Sequence, residues 1–486
     1  MILAVDVGTT SLRAAVVDPA GQIVAIERRE SPPASPAPGL VEFDATALAD
    51  LVLDACRAVV DRAGHVRAVG ITNQRASAIV WHRATGEPVG PGIGWQDLRT
   101  VGECIAATAE HGITVAPNQT ASKVAWLLQN AAPGVDPAEL CVGTVDSWVA
   151  RALSGGALHV TDDTNAAVTG LFDPYRRAWD PRLASIFGVP LDALPDVVDS
   201  SGPVGEATAL PGSPVIAALA GDQQASMVGQ GCVRPGMTKI TFGTGAMLDI
   251  CTGADDPVAL QRTTNGTFPI VAWTRGGTRV WGVESIMLAA GTNVDWLRDD
   301  LGLIATSAAS HDVAQACEHT DGVVYVPALL GLGTPHWDYG ARGTLLGLTR
   351  GSTRAHVVRA VLEGVAQRGA DLVDATVTDT ALTVETLRID GGMSQNPTFT
   401  RALADATGRP VEVAPVVEAT TLGAAHLAGI ATGVWGGFDD TAAMWEPADV
   451  VEPGATDADR RRDRQRWRRA VSGATGWIPE LSALDF

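Results

Sequence analysis

The chain has 486 residues, of which 46% are hydrophobic and 19% are charged, so it is too apolar for a disordered protein and long enough for more than one domain. Its 35 lysine and arginine residues against 55 aspartate and glutamate residues give a formal net charge of −20. That charge repels a nucleic-acid backbone and argues against nucleic-acid binding. It does not exclude a small anion, which a few cations and backbone N–H groups can hold.

The sequence predicts a cytoplasmic protein without membrane insertion. The N-terminus lacks the basic segment of a signal peptide and reaches Asp6 within one strand length, and no apolar run approaches the ~20 residues of a spanning helix. The six cysteines are scattered without a CxxC pair, which favours reduced thiols over disulfides or a zinc site. The only lysines are Lys123 and Lys239, a bias that we attribute to genome composition.

Predicted strands and helices alternate in the first half of the chain, which is typical of an α/β architecture. We predict strands at 2–6 and 12–18 around a Gly-Thr-Thr-Ser turn at 8–11, a proline-rich loop at 31–39, a helix at 45–63 and a strand at 66–71.

The second half repeats the pattern of two strands around a glycine-containing turn. We predict strands at 238–241 and 246–251 around a turn at 242–245, a helix at 356–375, a strand at 386–390 and a helix at 398–407. A boundary near 232–237 then gives lobes at 1–235 and 236–486 with a cleft between them, which would suit a ligand that must be enclosed. The arginine-rich stretch at 460–469 is predicted to be a solvated helix face rather than a binding patch.

Three glycine-containing turns could hold a nucleotide. The segment Asp6-Val7-Gly8-Thr9-Thr10-Ser11-Leu12-Arg13 offers N–H groups, hydroxyls and a cation for phosphates, and an acid that could hold Mg²⁺ through water. Gly243-Thr244-Gly245 is a second phosphate turn, and Asp390-Gly391-Gly392-Met393-Ser394-Gln395-Asn396 could receive a flat ring. Each turn taken alone is equally compatible with a purely structural turn.

Asp222 is the candidate general base. In Gly221-Asp222-Gln223-Gln224 it follows the apolar run at 215–220, so its carboxylate would stand at the mouth of a buried segment and could accept a proton from a hydroxyl. The structural alternative is that Asp222 caps the helix that follows, a position that aspartate favours.

In their order along the chain, these motifs resemble those of the FGGY family of carbohydrate kinases, and within it the chain is most similar to the glycerol kinases. Seven segments, spread nearly end to end, carry the resemblance: Asp6-Val7-Gly8-Thr9-Thr10-Ser11, Gly70-Ile71-Thr72-Asn73-Gln74-Arg75, Ser122-Lys123-Val124-Ala125-Trp126-Leu127, Gly221-Asp222-Gln223-Gln224, Phe242-Gly243-Thr244-Gly245, Gly343-Thr344-Leu345-Leu346-Gly347-Leu348 with His356 and Ala360-Val361-Leu362-Glu363, and Asp390-Gly391-Gly392. This order favours a functional interpretation of every turn.

The resemblance implies two ribonuclease-H-like lobes, of the actin and hexokinase type, around a cleft that binds ATP and Mg²⁺ on one side and a small polyol on the other. It implies that Asp222 accepts the proton of the attacking hydroxyl and that Asp6 lies near the metal ion, joined to it through water. The phosphate contacts would be Thr9, Thr10, Ser11, Arg13, Thr244 and Gly291, and the adenosine contacts Gly392 and Asn396. The polyol pocket would be lined by Arg75, Ala76, Trp95, Asn118, Asp222, Gln223 and Met247. The resemblance also allows a homodimer or a homotetramer.

Three pocket positions depart from the glycerol kinase pattern. Ala76 stands where those enzymes have glutamate, Asn118 where they have tyrosine, and Met247 where they have an aromatic residue. We therefore predict either glycerol or a larger polyol, a tetritol or pentitol, as the acceptor. The turn at 207–214 lacks the basic residues of the loop that binds a sugar bisphosphate in some bacterial members, so we predict no inhibition by fructose 1,6-bisphosphate.

Two alternatives remain open: an FGGY kinase of a ketose or another sugar, and a non-catalytic sugar-binding or actin-like protein on the same lobes. An NAD-dependent dehydrogenase is rejected, because the first strand is not followed by G-x-G-x-x-G.

Overall fold

A computed structural model describes residues 1–484, and most of their strands belong to two mixed sheets, each with helices packed against it. Residues 485–486, the end of the predicted second lobe, lie outside the described residues.

The first half contains fourteen strands and seven α-helices, besides two short 3-10 helices at Pro137–Glu139 and Leu191–Ala193. The strands are β1 Ile2–Val7, β2 Ser11–Val17, β3 Ile23–Glu30, β4 Glu42–Phe43, β5 Ala68–Asn73, β6 Ile79–His82, β7 Gly92–Ile93, β8 Leu140–Gly143, β9 Val160–Asp162, β10 Phe172–Asp173, β11 Ala178–Trp179, β12 Asp196–Val198, β13 Ser201–Glu206 and β14 Val215–Gly221. The helices are α1 Ala45–Ala63, α2 Val101–His111, α3 Thr120–Asn130, α4 Val145–Leu153, α5 Asp163–Ala166, α6 Pro181–Ile186 and α7 Asp222–Gly229.

The second half, as far as it is described, contains nine strands and eight α-helices, besides a short 3-10 helix at Gly392–Gln395. The strands are β15 Thr238–Phe242, β16 Ala246–Gly253, β17 Phe268–Arg275, β18 Thr278–Met287, β19 Val324–Val326, β20 Thr344–Leu346, β21 Leu387–Asp390, β22 Val411–Val413 and β23 Asp449–Val451. The helices are α8 Thr292–Asp299, α9 Ala309–Gln315, α10 Arg354–Thr380, α11 Pro397–Thr407, α12 Ala419–Ala431, α13 Phe438–Ala442, α14 Asp457–Ala474 and α15 Pro479–Ser482.

The two large sheets share one topology. The first has the order β3-β2-β1-β5-β14-β13, in which β3, β2 and β1 are antiparallel neighbours and β5 and β14 run parallel to β1. In the second, β18, β16 and β15 are antiparallel neighbours and β21 and β22 run parallel to β15. Three antiparallel strands followed by two parallel ones is the ribonuclease-H-like arrangement, and the prediction of two such α/β lobes is confirmed.

Local sequence explains the elements nearest the site. All six residues of β1 are buried, as expected of a central strand. Helix α1 has the predicted bounds because Asp44 accepts a hydrogen bond from the Ala47 N–H at its start and Gly64, at φ +84°, ends it.

Helix α12 joins the two lobes. It belongs to the second half of the sequence but packs against α7 and against β1, β5 and β14 of the first sheet. A Cβ atom built on Gly423 of α12 would lie 1.7 Å from the carbonyl oxygen of Ala225, and one on Gly229 of α7 would lie 1.9 Å from that of Ala419. Glycine is therefore required at this crossing, and the core behind the first sheet is built from both halves of the chain.

The arginine-rich tail forms helix α14, and the predicted solvated face is present, since six of the ten residues at 460–469 are exposed. The prediction was incomplete, because another face of this helix is buried: Arg464 is 8% exposed and Trp467 is 2% exposed. Arg464 Nη2 donates to Asp371 Oδ1 at 2.7 Å, and Trp467 Nε1 donates to Asp371 Oδ2 at 2.9 Å. The buried residues Arg464, Trp467, Val471 and Ala474 recur at helical spacing, a pattern that the many charged residues around them made difficult to recognise.

The six cysteines are free thiols, five of them buried. Within residues 1–484, no helix is both long and apolar enough to cross a lipid bilayer.

Candidate active site

Asp222 lies where the carboxyl ends of parallel strands meet. Strand β14 ends opposite Asn73 of β5, and Asn73 is itself opposite Val7 of β1, so Asp222 and the turn after β1 share one edge of the first sheet. Gly221 precedes α7 without a side-chain cap, and Asp222 is its first residue. Its carboxylate oxygen Oδ1 accepts a local hydrogen bond from the Gln223 N–H at 2.8 Å, and the side chain keeps 30% of its exposure.

Arg75 is the cation beside this carboxylate. Its Nε lies 3.4 Å from Asp222 Oδ1 and its Nη2 lies 2.7 Å from Glu284 Oε2. Burial raises the pKa of Asp222, and the Arg75 guanidinium opposes that rise. Arg75 Nη1 is buried and has no hydrogen-bond partner among residues 1–484, so the protein leaves this donor unsatisfied.

The first predicted phosphate turn is compact and ordered by its neighbours. The Gly8 N–H donates to the Ser11 carbonyl at 3.0 Å, and Trp95 Nε1 donates to Thr9 Oγ1 at 3.1 Å. Thr10 is exposed, and Ser11 and Arg13 are half-buried on β2. Trp95, a predicted polyol contact, thus touches a predicted phosphate contact.

The second turn is held by the segment before α8. The Gly291 N–H donates to the Gly243 carbonyl at 2.9 Å and the Ala290 N–H to the Thr244 carbonyl at 2.8 Å. A Cβ on Gly291 would approach the Gly243 oxygen to 2.6 Å, so a glycine is needed for the two loops to meet. Thr244 and Gly291 are brought together, as their predicted common role requires.

Asp6 lies near the end of β1, where α12 packs against the first sheet. Its Oδ2 accepts a bond from Thr421 Oγ1 of α12 at 3.0 Å and lies 3.4 Å from Arg13 Nη1. The pKa of Asp6 is raised to about 6: burial is the largest cause, Arg13 and the Thr421 hydrogen bond lower the pKa, and the charges of Asp222 and Glu418 add smaller increases.

The donor set near Asp6 fits a hydrated cation better than a directly ligated one. Within residues 1–484 no three His, Cys, Asp or Glu side chains form a metal-binding group, although the charges of Asp222 and Glu418 both act on Asp6. Mg²⁺ commonly keeps several water ligands and uses few carboxylates.

The three departures from the expected pocket differ in their surroundings. Ala76 is 7% exposed and has φ +64°, an uncommon conformation for a residue with a Cβ. Met247 is half-buried on β16, and Asn118 is exposed. The loop around Asn118 is held by the buried Lys123 ammonium, which donates to the carbonyls of Pro117 at 2.7 Å and Gln119 at 2.8 Å.

The two predicted adenosine contacts are arranged differently from each other. Gly392 is exposed, and a Cβ built on it would meet nothing within 4 Å. The Asn396 side chain is engaged by the protein: its oxygen caps α11 through the Thr398 and Phe399 N–H groups, and its Nδ2 donates to Ser310 at 2.9 Å.

Sequence reasoning missed three charged residues behind the site. Lys239, Asp249 and Glu284 lie on β15, β16 and β18, and Lys239 Nζ is 2.6 Å from Asp249 Oδ2. Burial and the neighbouring Glu284 raise the pKa of Asp249, while Lys239 lowers it. The sequence offered one signal for Lys239: it is one of only two lysines in the chain. In the structure both of these lysines are fully buried.

Comparison with known proteins gives consistent matches over the whole chain. The N-terminal domain model of the FGGY family of carbohydrate kinases matches residues 1–229 and the C-terminal domain model residues 238–432. A glycerol kinase of Aromatoleum aromaticum is 42% identical over 98% of this chain and 99% of its own, and one of Deinococcus radiodurans is 39% identical over 99% of each.

Solved structures agree in fold. A crystal structure of Plasmodium falciparum glycerol kinase with ADP superposes with a TM-score of 0.90 at 28% identity, covering 97% of this chain and 98% of that one. A ligand-bound xylulose kinase from Lactobacillus acidophilus, at 20% identity, has a TM-score of 0.85 over 98% and 99% of the two chains and bears on the fold alone.

Proposed function

The chain belongs to the FGGY family of carbohydrate kinases, and we propose that it transfers the γ-phosphate of ATP to a hydroxyl of a small polyol, with glycerol, giving glycerol 3-phosphate, as the first candidate. The observation that carries the proposal is the open Asp222 carboxylate beside the unpartnered Nη1 of Arg75, at the sheet edge that bears the first glycine turn. The glycerol kinases at about 40% identity support glycerol.

In the proposed mechanism, Asp222 orients the attacking hydroxyl and accepts its proton, while Arg75 and Gln223 hold the neighbouring hydroxyls. Thr9, Thr10, Ser11 and Arg13 from one lobe and Thr244 and Gly291 from the other align the phosphates. Gly392 would lie against the adenosine, and Asn396 would contribute through the backbone it caps. Alignment and charge neutralisation provide most of the rate enhancement in phosphoryl transfer, and lobe closure excludes water as an acceptor.

Mg²⁺ is proposed to bind through water beside Asp6, with Asp222 and Glu418 contributing negative potential. When bound, the ion would neutralise charge on the transferred phosphoryl group.

A tetritol or pentitol is the second candidate acceptor, favoured by the pocket residues. Ala76 stands where glycerol kinases have a carboxylate that could accept polyol hydroxyls, and Met247 is a flexible side chain where they have an aromatic residue, so we expect the proposed pocket to have more room and fewer acceptors. A buried hydrogen bond contributes about 0.5–1.5 kcal/mol net, so the loss of these hydrogen-bond acceptors should weaken the binding of a small triol such as glycerol.

A panel of purified polyols and sugars tests both candidates. We expect ATP-dependent phosphorylation of glycerol, a tetritol or a pentitol, and the acceptor with the highest kcat/KM identifies the substrate. A preference for a ketose would favour the sugar-kinase alternative. ADP release no higher than that of the Asp222→Ala variant with every acceptor would favour a non-catalytic protein.

The pKa of Asp6 predicts a pH-dependent effect of Asp6→Asn on stability. The folded-state pKa of about 6 exceeds the ordinary 3.8, so the native state holds its proton more tightly and loses stability as pH rises from about 4 to about 6. The loss is about 3 kcal/mol at neutral pH. Asparagine carries no such charge, so the stability of Asp6→Asn relative to the wild type should be greater at pH 7 than at pH 4, as measured by chemical denaturation. A difference that is the same at both pH values would contradict the raised pKa.

Fructose 1,6-bisphosphate at millimolar concentration is expected to leave the activity unchanged. The turn at 207–214 packs into the first lobe through Ala207 and Leu210, and the Ala207 N–H closes it by donating to the Pro214 carbonyl at 2.8 Å. No basic side chain within the turn can hold two phosphates. Initial rates with and without the bisphosphate check this, and clear inhibition would contradict it.

We also propose that the chain divides into lobes near residue 235, acts in the cytoplasm and assembles as a homodimer or homotetramer. Size-exclusion chromatography with light scattering tests the assembly.

A further inference from the structure

A row of three buried charges crosses the second sheet. Lys239 lies directly opposite Asp249 in the β15–β16 register, and Asp249 directly opposite Glu284 in the β16–β18 register. Their exposures are 0%, 0% and 6%. The adjacent residues Ile240, Leu248 and Ile250 pack in the core beneath α10. Side chains alternate along strands, so this charged row faces the first lobe instead.

The charged row contacts both residues that flank Asp222. Glu284 Oε2 lies 2.7 Å from Arg75 Nη2, and Lys239 Nζ donates to Gln223 Oε1 at 2.5 Å. Both bonds run from the second sheet to the first lobe, and both are largely shielded from water. Such charge-assisted bonds are short and impose geometry.

These bonds fix which groups the pocket presents. The Lys239 ammonium can only donate, so it selects the oxygen of the Gln223 amide and leaves the Nε2 hydrogens for a ligand. Arg75 likewise has Nη1 hydrogens without a protein partner among the described residues. Asp222 is the acceptor between the two donors.

We propose that Glu284 and Lys239 are positioning residues for the acceptor substrate: across the cleft they hold Arg75 and Gln223 as hydrogen-bond donors on either side of Asp222. This inference rests on the proposed polyol phosphorylation. The reacting hydroxyl donates to Asp222, and the adjacent substituents must accept. The site therefore selects an acceptor whose neighbouring groups can accept hydrogen bonds, as hydroxyls do, and it disfavours an analogue with an ammonium group there, because an ammonium can only donate.

The test compares Glu284→Gln with a matched control in the same sheet. Glu412→Gln removes the carboxylate of another cross-strand pair, in which Arg388 Nε lies 3.1 Å from Glu412 Oε2, on β21 and β22. We expect Glu284→Gln to raise the KM for the polyol by about 10- to 100-fold while the KM for ATP stays within about twofold. Glu412→Gln should change neither KM value. Glu284→Asp, which keeps a carboxylate, should raise the KM for the polyol less than Glu284→Gln does.

A second variant covers the case in which Glu284→Gln fails to fold. Lys239→Met with Asp249→Leu removes both members of a buried pair, a replacement that proteins often tolerate. It should leave the Gln223 amide free to rotate, raise the KM for the polyol and spare the KM for ATP. The wild type should also phosphorylate its preferred polyol at least about 10-fold better than the analogue with an ammonium group next to the reacting hydroxyl.

The outcomes separate this inference from the function on which it rests. A wild type that phosphorylates no polyol overturns both. A wild type active on a polyol, with unchanged polyol KM in the folded variants or equal use of the amino analogue, overturns the positioning role alone. Equal increases in the KM for the polyol and the KM for ATP would indicate a general structural role and would also overturn the positioning role.

Discussion

Replacing Asp222 with asparagine is expected to lower kcat by about 10²- to 10⁴-fold. Asparagine preserves the shape of the side chain but cannot accept the proton of the attacking hydroxyl. Because Glu284 remains 2.7 Å from Arg75, the guanidinium keeps a counter-charge and the fold should survive. The KM for ATP should change little, since Asp222 is not among the proposed phosphate contacts.

The control is Asp379→Asn. This carboxylate is engaged by Thr263, Thr267 and Asn265, outside the set of residues assigned to the site, so its loss should affect stability rather than kcat. Steady-state and single-turnover rates with the preferred polyol measure the difference. An Asp222→Asn enzyme with the wild-type rate would remove the central assignment.

The second large effect concerns the helix crossing. Gly423→Ala places a methyl group 1.7 Å from the Ala225 carbonyl oxygen, and both partners are backbone in packed helices. Relief requires α12 to move away from α7, so we expect a loss of about 3 kcal/mol in the free energy of unfolding. Chemical denaturation measures this loss.

Gly102→Ala provides the matched control, because Gly102 is also helical but a Cβ there would meet nothing within 4 Å. It should not lower stability, and because Gly102 lies in the first turn of its helix, any gain should stay below about 1 kcal/mol. Equal effects of the two substitutions would show that the steric clash at Gly423 is relieved without cost by movement of its neighbours.

Much of the fold could be predicted from local sequence. Helix α1 is bounded by Asp44 and Gly64, and the strands around the turn at 8–11 are apolar runs separated by turn residues. Such signals act over a few residues. The family and its two-lobed fold followed from motifs in order, and both are confirmed.

What the sequence did not predict depends on contacts between distant segments. The charged row needs the register of β15, β16 and β18, which no local pattern encodes. The placement of α12 behind the first sheet and the inward face of α14 have the same cause. The roles of individual site residues, Asn396 included, stay predictions.

The scarcity of lysine has a structural side that composition alone does not show. Of the 35 lysine and arginine residues, two are lysines and the other 33 are arginines. Both lysines are fully buried. A compact ammonium donates along directions that a planar guanidinium cannot reach. Lys123 contacts two carbonyls and Lys239 contacts an amide, a hydroxyl and a carboxylate.

The burial of both lysines also makes the native protein unusual toward reagents that acylate side-chain amines. Both ammonium groups are fully buried, and Lys239 lies at the contact between the second sheet and α7, where it donates to Gln223 Oε1. We therefore expect acylation of Lys239 to require separation of α7 from the second sheet. The acylation rate of Lys239 would then report how often the lobes open. A bound nucleotide or acceptor that holds the lobes together should lower this acylation rate.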